Sequence, residues 1–274
     1  MTSSATTHLP ALLDAPIGVF DSGVGGLSVL QEIRRELPHE NLLYVADSAH
    51  APYGDKPSSF IEARSKAIVE FLISRNAKAI VVACNTATGA AVSVLRRNYS
   101  LPIVAMEPAV KPAVEKTKTG VIGVLATSRT LSSNNFINLF ERFGGKAEII
   151  GQACPGLVEL VEKGELSSDN TRILLEQYLD SLLQRGADTL VLGCTHYPFL
   201  TAIIRDIAGP GVAVIDSSSA IARETRRRLT EAGLLSKASA AGTESFWTSQ
   251  EPEKINPVIA QLWRTKVELL RLPD

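Results

Sequence analysis

The chain has 274 residues, 28 Lys and Arg against 29 Asp and Glu, and 45% hydrophobic residues. That length and apolar content fill the core of one large or two moderate α/β domains and argue against intrinsic disorder. The charge is balanced, with no basic block or aromatic-interleaved patch, and no apolar run reaches a membrane span, so nucleic acid and membrane are excluded in favour of a small-molecule ligand or a protein partner.

In chain order, residues 1–15 (MTSSATTHLPALLDA) are Ser/Thr-rich and have no basic region ahead of an apolar stretch. They are expected to be a flexible extension rather than a signal peptide. Without an export signal, three cysteines, an odd number, are expected as free thiols in a reducing cytoplasm. Short β-branched runs at 17–20, 42–46, 79–83, 102–105, 121–125, 147–150, 189–193 and 212–215 predict strands. Most are continuously apolar, as strands buried in parallel sheets are. Helical patterns lie between them. Leu27, Leu30, Ile33 and Leu37 recur at three- and four-residue steps, as do Leu175, Tyr178, Leu179, Leu182 and Leu183, with Ser168 or Asp169 as N-cap of the latter. Two more helices are expected near 220–234 and 255–270. Strand–helix alternation of this kind gives an α/β fold with mainly parallel sheets.

A faint repeat runs through these elements. "GVFDS" at 18 matches "GVLATS" at 123, "AIVVACNT" at 79 matches "TLVLGCTH" at 189, and "LPIVAMEP" at 101 resembles "GVAVIDS" at 211. The offsets are 105, 110 and about 110 residues, in the same order along the chain. Two similar, pseudo-symmetric α/β domains are therefore expected, with the site in the cleft between them. Residues 16–107 plus 217–274 form the first and 108–216 the second.

In open parallel sheets, ligands bind beyond the carboxyl ends of the strands. Asp21-Ser22, Asp47-Ser48, Cys84-Asn85-Thr86 and Cys194-Thr195-His196 all fall there. Helices after them would aim backbone N–H groups at a bound carboxylate and favour thiolate over thiol. Cys84 and Cys194 occupy matching places in the repeat, so facing halves would put one sulfur on each side of a substrate. Proton exchange at a stereocentre needs that arrangement, with a base on one face and an acid on the other. One strand-end cysteine alone reads as packing, and Cys154, outside the repeat, is read that way. Zinc on Cys84, Cys194 and His196 is disfavoured because no C-x-x-C is present, and a disulfide by the reducing compartment. The Gly23–Gly26 turn with Asp47 superficially suits a dinucleotide, but Ser28 stands where Gly or Ala belongs and Asp21 would repel a pyrophosphate.

The motifs "GVFDSGVGGLSVL" (18–30), "ADSAHAPYG" (46–54), "VACNTAT" (82–88) and "GCTHYPFL" (193–200) resemble those of the glutamate racemase family, supported by "GVLATSRT" (123–130) and "CPGLVELVEKG" (154–164). The resemblance runs from about Ile17 to about Ala222. It implies a two-domain racemase with the site between the domains, no cofactor or metal, and D-glutamate supplied for peptidoglycan. It implies Cys84 and Cys194 as the acid/base thiols, with Asp21 and His196 assisting and Glu162 as a further carboxylate. Substrate contacts are expected from Asp21, Ser22, Tyr53, Gly54, Asn85, Thr86, Thr195 and His196. Asn85, Thr86 and Thr195 offer neutral donors, and Tyr53-Gly54 follows Pro52 in a rigid turn. Asp21 could also cap the helix after Gly23, His196 cap its own helix, and Tyr53 serve packing. His50 stands where the family often has a basic residue and is expected at the rim. Arg129 and Phe136, departures after Thr127, place the difference at the second-half rim. Many relatives dimerise, so a homodimer is expected by resemblance. Aspartate racemisation, and amino-acid binding without catalysis, stay open as alternatives on composition and spacing.

Overall fold

The computed structural model describes residues 12–273, so most of the extension expected at 1–15 lies outside the described residues. Among the described residues ten strands form two sheets, and every strand pairing there is parallel. In chain order they are β1 (Ile17–Asp21), β2 (Leu42–Ala46), β3 (Ala79–Val82), β4 (Ile103–Ala105), β5 (Val121–Ala126), β6 (Glu148–Ala153), β7 (Thr189–Leu192), β8 (Ala213–Asp216), β9 (Glu244–Thr248) and β10 (Leu269–Arg271). The first sheet has the order β10-β9-β2-β1-β3-β4 and the second β6-β5-β7-β8.

Those orders carry the repeat. The run β2-β1-β3-β4 corresponds strand for strand to β6-β5-β7-β8, with β1 and β5 as the inner strands that the motifs at 18 and 123 mark. Central strands are buried along their whole length, as in β1, β3 and β7, which explains their unbroken apolar sequences. The edge strands β6 and β8 are partly exposed and correspondingly mixed.

All eight expected strands are present, with ends moved by one or a few residues. β9 and β10 were not expected. They extend the first sheet at the β2 edge, where Leu42 pairs with Glu244 and Leu269 with Phe246. The helix expected at 255–270 is in fact Pro252–Trp263. It ends at Arg264, in the left-handed conformation at φ 65°, and the chain then turns into β10. The helix expected at 220–234 is Ser218–Glu231. Ser168 caps the Asp169–Gln184 helix by accepting from the Thr171 amide.

Apolar packing is continuous between the halves: one cluster joins Val24, Leu27 and Leu30 to Leu157, Val161 and Tyr197. Phe136, expected at the rim, is instead buried in the second half's own core with Val124, Leu139 and Val191. It lies on the inner face of the Asn134–Phe143 helix. Arg129 is half-buried, and among the described residues its Nε has no hydrogen-bond partner. No helix among the described residues is long and apolar enough to cross a membrane.

Candidate active site

The carboxyl ends of β1, β3 and β7 bring three of the four polar clusters together. Asp21 is the last residue of β1, Cys84 follows β3 by two residues and Cys194 follows β7 by two. Cys84 caps the Asn85–Asn98 helix: its sulfur accepts from the Ala87 amide at 3.4 Å. After Cys194 the chain forms a 3-10 turn at Tyr197–Leu200 before the Thr201–Ala208 helix. His196 makes no side-chain capping bond there, so its imidazole is not a helix cap.

Each thiol connects to a carboxylate through one polar side chain. Cys84 donates toward Ser22 Oγ at 3.7 Å, and Ser22 donates to Asp21 Oδ1 at 3.2 Å. On the other side Cys194 Sγ lies 3.8 Å from His196 Nδ1, and His196 Nε2 lies 2.7 Å from Glu162 Oε1. The two relays are also tied across the halves. Thr195 Oγ1 donates to Asp21 Oδ2 at 2.8 Å, Ser28 Oγ donates to the Thr195 carbonyl at 2.9 Å, and the Val24 amide donates to Glu162 Oε1 at 2.7 Å.

The Gly23–Gly26 turn makes this closure possible. A side chain at Gly23 would run into the Glu162 carboxylate, and one at Gly25 into the His196 imidazole. The turn thus receives a carboxylate, and the carboxylate is the protein's own. A pyrophosphate has no place there while Glu162 fills it. Asp21 caps the turn by accepting from the Gly23 amide at 2.8 Å, whereas the Leu27–Glu36 helix itself starts at Gly26 with no side-chain cap.

The electrostatics correct one expectation. The Cys84 thiol was expected to be shifted toward thiolate, but burial, reinforced by the negative charge of Asp21, raises its pKa to about 12. The Ala87 amide and Ser22 pull the other way without prevailing. Cys84 is therefore protonated in this closed arrangement, an acid ready to deliver. Burial lowers the pKa of His196, but its contacts with Cys194 and Glu162, together with Asp21, raise it well above 6.5. As an imidazolium, His196 donates from both ring nitrogens, one to Cys194 and one to Glu162.

Asp21 is wholly buried, and that burial raises its carboxyl from 3.8 to about 6; the His196 charge and the Thr195 and Gly23 hydrogen bonds lower it, and Glu162 adds to the rise. A raised carboxyl binds its proton more tightly when folded. Its contribution to stability is then present below pH 3.8 and is lost as the pH rises through about 6. A rise of that size corresponds to about 3 kcal/mol. Asp21→Asn is accordingly expected to be more stable than wild type at pH 8 by up to about 3 kcal/mol, with most of the difference gone by pH 4, in urea unfolding at both values. Lower stability of the variant at pH 8 would contradict the assignment.

The remaining expected residues divide. Asn85 is buried, and among the described residues neither atom of its amide has a hydrogen-bond partner, which suits it to a ligand. Thr86 Oγ1 lies 3.0 Å from Thr127 Oγ1 and 3.3 Å from Thr130 Oγ1, a hydroxyl cluster shared between the halves. Thr127 and Thr130 sit inside "GVLATSRT" but were not singled out, because a lone threonine after a strand carries no signal of its own. Tyr53 is buried and spends its hydroxyl on Asp47 Oδ2 at 2.5 Å. His50, expected at the rim, pairs with Asp47 Oδ1 at 3.0 Å and is half-exposed. Gly54 lies in the 3-10 turn Tyr53–Asp55. Cys154 is buried behind the site and donates to the Gln152 carbonyl at 3.3 Å. All three cysteines are free thiols, and no three His, Cys, Asp or Glu side chains among the described residues are grouped to hold a metal ion.

Comparison with known proteins identifies what the chain is similar to. The family model described as Asp/Glu/hydantoin racemase matches residues 17–225. A glutamate racemase of Methylococcus capsulatus is 58% identical over 248 residues, covering 90% of this chain and 92% of that protein. Among solved structures, a glutamate racemase isoform of Bacillus anthracis superposes with a TM-score of 0.87 at 32% identity, covering 94% of this chain and 97% of that one. An Escherichia coli glutamate racemase, solved with L-glutamate and the activator UDP-MurNAc-ala, gives a TM-score of 0.81 at 34% identity, covering 93% and 97%.

Proposed function

The chain belongs to the Asp/Glu/hydantoin racemase family, and from that footing we propose that it interconverts L- and D-glutamate by proton exchange between two thiols. The observation that carries this reading is the placement of Cys84 and Cys194 after corresponding strands of the two sheets, each with its own path to a carboxylate, Asp21 buried and Glu162 partly so. One thiolate removes the α-proton from one face of the substrate, and the opposite thiol delivers a proton to the other. The roles reverse for the reverse reaction. Asp21, through Ser22, receives and returns charge on the Cys84 side, and His196 with Glu162 does so on the Cys194 side. The Asp21 carboxylate can take up and return a proton through Ser22, and the His196 imidazolium, held by Glu162, offsets the negative charge of a Cys194 thiolate.

Cys84 and Cys194 are 4% and 7% exposed, so substrate enters only if the halves separate. In this reading residues 16–107 with 217–274 move against 108–216. Opening breaks the bonds of Thr195 to Asp21, Thr86 to Thr127 and Val24 to Glu162, and frees those groups for the substrate. Asn85, Thr86 and Thr195 then hold the carboxylates as neutral donors, and Ser22, the Tyr53–Gly54 turn, Asp21 and His196 complete the contacts. The reaction needs no metal or prosthetic group. Its product supplies D-glutamate for peptidoglycan in the cytoplasm.

Circular dichroism of the chelator-dialysed protein tests this. L-glutamate is expected to lose its signal fully as the racemate forms, and L-aspartate to keep it. Loss with aspartate alone would move the substrate, and activity restored only by added metal or pyridoxal phosphate would overturn the two-thiol chemistry.

A further inference from the structure

We propose that Asp47 and Arg64 are positioning residues that hold the Tyr53–Gly54 turn in register for substrate, so that Tyr53 acts through its ring and backbone and not through its hydroxyl. The inference rests on the glutamate racemase reading of the same site.

Asp47 follows β2 and is completely buried, yet three side chains converge on its carboxylate. Tyr53 donates to Oδ2 at 2.5 Å, and His50 Nδ1 lies 3.0 Å from Oδ1. Arg64 grips both oxygens, Nε to Oδ2 at 3.0 Å and Nη2 to Oδ1 at 2.8 Å, the forked geometry that fixes a carboxylate in orientation as well as position. Burial works against the charge, but the Arg64 and Tyr53 donors outweigh it and hold this carboxyl below the ordinary range. None of this machinery belongs to the thiol relays.

Its geometry leads to them. The Asp47 amide donates to the Asp21 carbonyl at 3.0 Å, so the brace is anchored to the end of β1 beside the Cys84 relay. The Tyr53 ring packs in the apolar cluster that contains Phe20, Cys84 and Ala87. At the far end of the turn, a methyl placed on Gly54 would come within 3.3 Å of Thr127 Cβ, the threonine that bonds Thr86 across the halves. The turn therefore lies between the Cys84 helix and the second half. Its phenolic proton is committed to Asp47, which leaves the backbone N–H groups of the turn and the wall of the ring for a substrate carboxylate. Arg64 comes from the Ser58–Ser74 helix, outside the sheet ends, and reaches in to the Asp47 carboxylate.

An interaction made equally in ground and transition states changes KM and leaves kcat alone. The test is steady-state kinetics with L- and D-glutamate on Tyr53→Phe, Asp47→Asn, Arg64→Lys and the Tyr53→Phe/Asp47→Asn double variant, with the Tm of each. Tyr53→Phe and Asp47→Asn are each expected to raise KM about tenfold, the scale of one lost hydrogen bond to a charged group, with kcat within about threefold of wild type. Arg64→Lys keeps the charge and loses the fork, so its KM is expected to lie between. The double variant is expected to raise KM no more than the larger single variant, because both changes release the same turn. A double-variant KM equal to the product of the two single effects would overturn the proposal, since the hydroxyl would then contact substrate on its own. A Tm loss with wild-type KM in Tyr53→Phe and Arg64→Lys would overturn it too, even if Asp47→Asn fails to fold. Wild-type protein that racemises no glutamate would instead sink the functional reading beneath it.

Discussion

Cys84→Ala and Cys194→Ala are each expected to lower racemisation by about 10²- to 10⁴-fold in both directions, the usual contribution of a positioned acid or base, while Cys154→Ala stays near wild type. Every turnover uses both sulfurs, one to take a proton and one to give it, so neither can replace the other. The relays make the requirement stricter. Among the described residues, Cys84 reaches a carboxylate through Ser22, and Cys194 through His196. No other thiol has such a path: Cys154 donates to a backbone carbonyl in its own segment. The two losses should also be of similar size from L- and from D-glutamate, because a missing acid stops the reaction as surely as a missing base. Initial rates from both enantiomers, with folding checked by circular dichroism, decide the matter. Near-normal turnover in either single variant would show that one sulfur serves both faces, and the pairing would be wrong.

Much of this site was legible before any coordinates. The strands that position it are buried on both faces, and burial on both faces writes itself into a sequence as runs such as AIVVA and TLVLG. Duplication then marked Cys84 and Cys194 as equivalents, and equivalence is what raised two buried thiols above ordinary packing. Three features were not legible, each for a physical reason. β9 and β10 are short edge additions whose pairing with β2 is decided by tertiary context rather than local pattern. The ionisation of Cys84 depends on burial and on Asp21, 63 positions away in sequence, and those effects overrode the local helix cap that had suggested a thiolate. The occupant of the glycine turn was invisible as well. Glu162 reaches Val24 from the other half, and only the closed fold shows the contact.

Deuterium incorporation in D₂O is the most direct test of the central claim, that two separate sulfurs face opposite sides of one substrate. The sulfur that is to act as acid exchanges with solvent and carries deuterium before substrate binds, while the sulfur that is to act as base is a thiolate. The thiolate that removes the α-proton of L-glutamate keeps that proton on its own side, and the opposing sulfur delivers a deuteron. At low conversion, newly formed D-glutamate is therefore expected to carry deuterium at the α-carbon almost completely, while unreacted L-glutamate remains protium. Starting from D-glutamate, the pattern is expected to invert. A single base swinging between faces would hand the original proton to the product. NMR or mass analysis of the separated enantiomers within the first few per cent of reaction reads the difference. Deuterium in the product from both directions is the predicted result; substantial protium in the newly formed enantiomer would contradict the facing pair of Cys84 and Cys194.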